Sequence, residues 1–298
     1  MSDASTTMTS LDFRRATQTE VSGRLAPALV GIIFFLGYLY FKGMPTITDA
    51  HARIGLSCLP VILLAIVADR VPKLSRLLLF AVNFIAVLVC VVPTLIAKVQ
   101  PSGWTWQEFS LNAAAAGIGV GAIATLTQML QQRDGTILTL LVAIGMTLAT
   151  SALLLFSNIA SMPQYTLTLV AGIIAVLIVG AFHHPLRTSR GIYTLVMAIL
   201  AAQLASGHLW GTGDGLPLWA AAAVVGSPLY AWVVRVPFIA RRRPWQRIII
   251  GLLVAAIPSA IACIVMGNDY AIGTSSNSTP DADSTITPEN YDNFKPNP

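Results

Sequence analysis

The sequence predicts an all-α integral membrane protein, a bundle of about nine transmembrane helices with a cytoplasmic N-terminus and an extracytoplasmic C-terminus. Three observations carry that prediction. Charged residues make up 10% of the chain and hydrophobic ones 55%, whereas soluble domains carry about 25% charged residues. The apolar residues fall in long runs, each near the ~20 residues that cross ~30 Å of hydrocarbon. Basic residues gather in alternate connections between the runs.

Taken in order, residues 1–24 are polar, with Asp3, Asp12, Arg14, Arg15 and Glu20. They hold no apolar stretch near their start, so they read as a cytoplasmic segment rather than a cleaved signal peptide. The spans of the polytopic domain, 25–266, are expected at 25–41, 52–68, 74–97, 111–130, 136–156, 166–182, 192–209, 216–234 and 248–266. Pro60, Pro93, Pro228 and Pro258 fall inside spans and are expected to kink them or free a carbonyl. In the fourth span Gly117 and Gly121 sit one turn apart, a spacing that lets two helix backbones approach closely. The eighth repeats the theme with Ala220 to Ala223 and Gly226. Beyond Met266 the chain is rich in Ser, Thr, Asn, Pro and Asp, so 267–298 reads as a disordered, acidic extracytoplasmic tail. Asn277 opens a glycosylation-type triplet there, weakened by the following Pro280.

Orientation comes from Lys and Arg. Fourteen of the eighteen fall on one side of this threading, in residues 1–24, 70–76, 133, 187–190 and 235–247; the other side holds Lys42, Arg53, Lys98 and Lys295. The fourteen mark the cytoplasm. Ala-rich spans and compact loops suggest a bacterial inner membrane. The formal net charge of +5 is spent on this asymmetry, and nucleic acid is not an expected partner.

Acidic residues lie in loops and tails, and no carboxylate, lysine or arginine sits deep in a span. Proton relays and ion-coupled carriers keep such groups inside the membrane despite their cost, and a retinal protein needs a lysine in mid-helix. These classes are therefore disfavoured. Gly211-Thr212-Gly213-Asp214 spells the G-x-G-D pattern of intramembrane aspartyl proteases. A proton-sharing dyad needs a second carboxylate close by, and the best candidate, Asp69, is expected at the opposite membrane face. The motif reads as a glycine-rich turn.

The remaining candidates are few. Asn83, Gln128 and Gln203 are uncharged polar residues within spans, with hydroxyls from Thr125, Thr127, Thr147, Thr150 and Ser151 nearby. They serve either as substrate contacts in a polar cavity or as interhelical hydrogen-bonding groups. His183 and His184, before Pro185, close the sixth span at the cytoplasmic interface. They either end the helix there or serve acid–base chemistry on a lipid headgroup. His51 and His208 fall near the outer surface, a poor arrangement for a haem, whose ligands usually sit inside helices. Arg235, Arg241, Arg242, Arg243 and Arg247 form a basic run beside two spans, suited to anionic headgroups. Cys58, Cys90 and Cys263 lie in apolar runs and read as small hydrophobes. No cluster with metal-ligand spacing is present, and nothing calls for a cofactor. Trp104, Trp106, Phe109, Trp210 and Trp219 look like an outer aromatic belt.

These features predict a membrane protein without an evident catalytic site. Its role would be that of a carrier for a neutral or hydrophobic substrate, or of an integral subunit of a membrane complex. The alternative is an interfacial lipid-modifying enzyme using His183 and His184. Membrane lipids and other integral subunits are the expected partners.

Overall fold

The computed structural model describes residues 10–43, 50–70, 75–99, 103–134, 136–157, 162–182, 190–211 and 215–276. Among the described residues the regular structure is entirely helical: α1 (Ser10–Lys42), α2 (Ala50–Arg70), α3 (Arg76–Leu95), α4 (Trp106–Asp134) and α5 (Thr136–Phe156), then α6 (Met162–Phe182), α7 (Gly191–Trp210), α8 (Leu218–Tyr230), α9 (Pro237–Ala240) and α10 (Pro244–Ser276). Eight of these stretches are long and apolar enough to cross a membrane, belonging to α1, α3, α4, α5, α6, α7, α8 with its 3₁₀ extension, and α10. The second expected span is present as α2, packed against α1, α3 and α7, but it is not among those eight.

Helix ends differ from expectation for identifiable reasons. α4 starts at Trp106 rather than 111 because Thr105 and Glu108 form a capping box. The Glu108 carboxylate accepts from the Thr105 backbone N–H at 2.9 Å, and the Thr105 hydroxyl accepts from the Glu108 N–H at 3.2 Å. Two donors left over at the helix start are thereby satisfied. α8 ends at Tyr230 and tightens into a 3₁₀ turn, Ala231–Arg235. Pro228, two residues earlier, has no N–H to continue the ladder. α10 runs past Met266 to Ser276, so the segment from 267 on, expected to be disordered, begins as helix. Tyr270 packs on Phe156 of α5 with ring centroids 6.0 Å apart, which holds the added turns. α1 likewise begins at Ser10, inside the segment assigned to the cytoplasm, and takes in Pro27.

α7 is the central post. It is apolar on all sides, and its residues from Gly191 to Leu204 are buried without a break, as a helix enclosed by others must be. α1 to α6 and α8 all contact it. α10 stands at the rim against α5 and α8. Its outward stripe, Leu253, Ile257, Ile261 and Ile264, is more than half exposed, and Ile32 and Leu36 of α1 are exposed to 50% and 56%. Contiguous exposed apolar faces of this extent are foreign to soluble monomers; lipid covers them. The protein is a multi-pass helical membrane protein.

Two close helix approaches depend on glycine. α4 meets α3 through Gly117 and Gly121: a Cβ on Gly121 would stand 3.2 Å from the Phe84 backbone, and one on Gly117 would stand 2.7 Å from the Phe84 ring. Nearby, α7 starts directly against α2. A Cβ on Gly191 would collide with the Ala65 carbonyl oxygen and lie 2.9 Å from Pro27.

Candidate functional site

The polar residues of the spans are used in two different ways. On α3 and α4, Asn83 and Gln128 come together with Thr125 and with Thr194 of α7. The Asn83 amide donates to Thr125 Oγ1 and to Gln128 Oε1, each at 2.9 Å. Gln128 Nε2 donates to Thr194 Oγ1 and to the Arg190 carbonyl, each at 2.9 Å. The Thr194 hydroxyl closes the ring by donating to Asn83 Oδ1 at 2.7 Å. Asn83 and Gln128 are 1% and 0% exposed. Every amide hydrogen and oxygen of the pair is occupied, so the cluster has no free group to offer a ligand. It joins three helices.

Beside it, α7 is held by its first residue. The Gly191 N–H donates to the Asp69 carboxylate at 3.0 Å, placing a negative charge at the helix N-terminus, where the helix dipole favours it. The carboxylate weighed as a protease partner is therefore a capping group. It sits at the far end of α7 from Gly211 and Gly215, about 30 Å along a helix rising ~1.5 Å per residue. Residues 212–214, including Asp214, lie outside the described residues.

The span hydroxyls mostly bond their own helix. Thr125, Thr127, Thr147 and Thr150 each donate to the carbonyl four residues earlier, at 2.7 to 2.9 Å. Ser151 donates across to the Pro163 carbonyl of α6 at 3.2 Å. Such bonds satisfy a hydroxyl without a partner helix. Gln203, fully buried on α7, accepts from Thr166 Oγ1 of α6 at 3.1 Å. Its Nε2 has no hydrogen-bond partner among the described residues.

A sizeable concavity lies elsewhere. A cavity of about 580 Å³ opens between α3, α4, α7 and α8, toward the end of the bundle that carries the α7–α8 turn. That volume falls within the ~300–1,000 Å³ typical of small-molecule sites. Its wall is aliphatic and small-residue-rich, and the polar-capable side chains on it are Trp104, Asn112 and His208. Among the described residues no carboxylate, ammonium or guanidinium lines it. Small residues create the space: Ala115, Ala116 and Gly119 of α4 face Ala221 and Ala222 of α8. A Cβ on Gly119 would have no neighbour within 4 Å, unlike those on Gly117 and Gly121, which are turned to α3. The helix thus uses one set of glycines to pack and another to leave room.

Comparison with protein families, with characterised proteins and with solved structures finds no match. The functional reading rests on the site itself.

His208 is ordered by the turn that follows it. It belongs to the last turn of α7 rather than to a loop, and its Nδ1 lies 2.8 Å from the Leu216 carbonyl oxygen. Leu216 is fully buried and its N–H donates to the Gly207 carbonyl at 3.0 Å. Gly215 adopts φ 68°, and any side chain there would strike the His208 carbonyl. The chain thus doubles back tightly enough to place a carbonyl against the ring. The sequence pattern missed Trp104, Asn112 and His208 as a set. The signal was present in the run of small residues from Ala113 to Gly121, one side of which is left open beside Gly119.

Arg241, Arg242 and Arg243 are exposed around α9. The Arg242 guanidinium lies 4.8 Å from the centre of the Phe238 ring, and Phe238 and Trp245 are also exposed. Arg235 is exposed beside them, while Arg247 is partly buried at the start of α10. His183 and His184 lie outside the described residues, as does the side chain of His51. Cys58, Cys90 and Cys263 are free thiols packed among helices. Among the described residues no three His, Cys, Asp or Glu side chains gather where a metal would bind.

Proposed function

We propose that this protein binds a neutral, largely apolar small molecule in the cavity between α3, α4, α7 and α8, as a carrier or lipid-handling protein of the cell membrane. The cavity's uncharged, small-residue wall is the observation that supports the reading. A charged substrate would need a compensating group inside the membrane, and none lines this space among the described residues. The exposed side chains at the α4–α8 mouth, among them Leu218, suit access from the hydrocarbon rather than from water.

In this reading Asn83 and Gln128 are packing groups, because their hydrogen-bonding capacity is consumed by each other. Gln203 keeps one donor free and remains a contact for a small polar guest, such as a water. The chain crosses nine times, with α2 as the further span, N-terminus in the cytoplasm, and the cavity in the extracytoplasmic half of a bacterial inner membrane. Support comes from the asymmetry of basic residues. Exposed Arg241 to Arg243 with Phe238 and Trp245 form a headgroup contact for anionic lipids on the cytoplasmic face, worth about 1 kcal/mol per basic residue near the surface. A C-terminal alkaline phosphatase fusion should be active and a green fluorescent protein fusion dark; the opposite pair would reverse the orientation.

Mass spectrometry after mild-detergent purification tests the functional reading. The expected result is one defined apolar small molecule retained at about one per chain. A stoichiometric membrane protein retained in its place would instead mark the chain as a complex subunit.

A further inference from the structure

The wall of the cavity carries a hydrogen-bonding group, the His208 ring, whose polarity is set by the fold. The Leu216 carbonyl can only accept. A ring nitrogen 2.8 Å from it therefore carries a proton, so in the neutral imidazole Nδ1 is the donor and Nε2 holds the lone pair. Among the described residues Nε2 has no bonded partner, while the ring lines the cavity. Of the other lining side chains only the Trp104 indole and the Asn112 amide are polar, and the wall between them, from Val91 and Leu95 on α3 to Val225 on α8, is hydrocarbon.

We infer that the ligand is an apolar molecule with a hydroxyl group, a long-chain prenol in its simplest form, whose O–H donates to His208 Nε2. This rests on the cavity being the binding site and adds the ligand's chemical class. A ketone, ester or ether has only acceptors and would set its lone pairs against that of Nε2. The hydrocarbon part of the ligand fills the space left open by Ala115, Gly119 and Ala222. The tight turn at Gly215 is then a positioning device, since it supplies the carbonyl that fixes the ring.

The test uses the full chain in detergent, with farnesol and farnesyl methyl ether as probes. The two differ by one donor and share the same chain. Each is titrated by its effect on thermal unfolding, because a ligand bound to the native state raises the midpoint with concentration. Farnesol should bind about tenfold more tightly than its ether, and the difference should vanish in His208→Phe, with both probes still binding. Equal affinities in the wild type overturn the hydroxyl assignment and leave the cavity reading standing. If neither probe shifts unfolding, the assignment and the cavity reading fall together. The wild-type comparison decides the matter even if the variant does not fold.

Discussion

Replacing Gly191 with alanine should destabilise the bundle by about 3 kcal/mol or more, since overpacking against backbone leaves little room to relax. The added methyl would strike the Ala65 carbonyl oxygen of α2 and crowd Pro27 of α1. Both are rigid, so the start of α7 would have to move. That movement would also break the bond from Gly191 to Asp69 and pull Arg190 from Gln128. Unfolding in mixed micelles with increasing dodecyl sulfate measures the effect. Gly145→Ala, at a helix position open to 4 Å on every side, is the control and should be near neutral.

Asn83→Leu is the second change with a large expected effect, about 2–3 kcal/mol. It leaves Gln128, Thr125 and Thr194 short of partners in a buried site, and an orphaned polar group costs about 1–3 kcal/mol. Individual interhelical bonds average only about 0.6 kcal/mol in membranes, with an upper range near 2, so the cost comes mainly from the groups left behind. Gln128→Leu should be similarly harmful. The double variant should be less destabilised than the sum, by at least about 1 kcal/mol, because the two residues share one network. Additive effects would mean the cluster is not a unit. A stable, well-folded Asn83→Leu protein that has lost only its ligand would show that Asn83 serves binding rather than packing.

The fold was legible from hydropathy because the bilayer demands long apolar helices and little else satisfies it. Each expected span corresponds to a helix, and the misjudged ends follow from local chemistry. The Thr105–Glu108 box could have been read as T-x-x-E; the reach of α10 to Ser276 depends on Tyr270 meeting Phe156 across the bundle, which no local pattern encodes. The site was less legible. Polar residues inside spans draw attention as ligands, yet Asn83 and Gln128 lie 45 positions apart and their pairing appears only when α3 and α4 are side by side. Conversely, the room in the cavity is left by alanines and a glycine, residues that signal by what they lack. His208 reads as a loop residue in sequence because its role depends on Gly215 turning the chain back toward it.

A binding site beside Gly119 and mere loose packing there make opposite predictions for the variant Gly119→Leu. The substitution removes a helix-interior glycine whose added Cβ would have no neighbour within 4 Å, and extends a side chain into the cavity. Wild type and variant would be purified side by side from membranes in mild detergent and their retained molecules measured by mass spectrometry. The prediction is that the variant folds and resists dodecyl sulfate at least as well as wild type while losing the apolar molecule that wild type keeps. A variant that retains the same molecule at the same stoichiometry would contradict the claim, and the ligand would have to be sought outside this cavity.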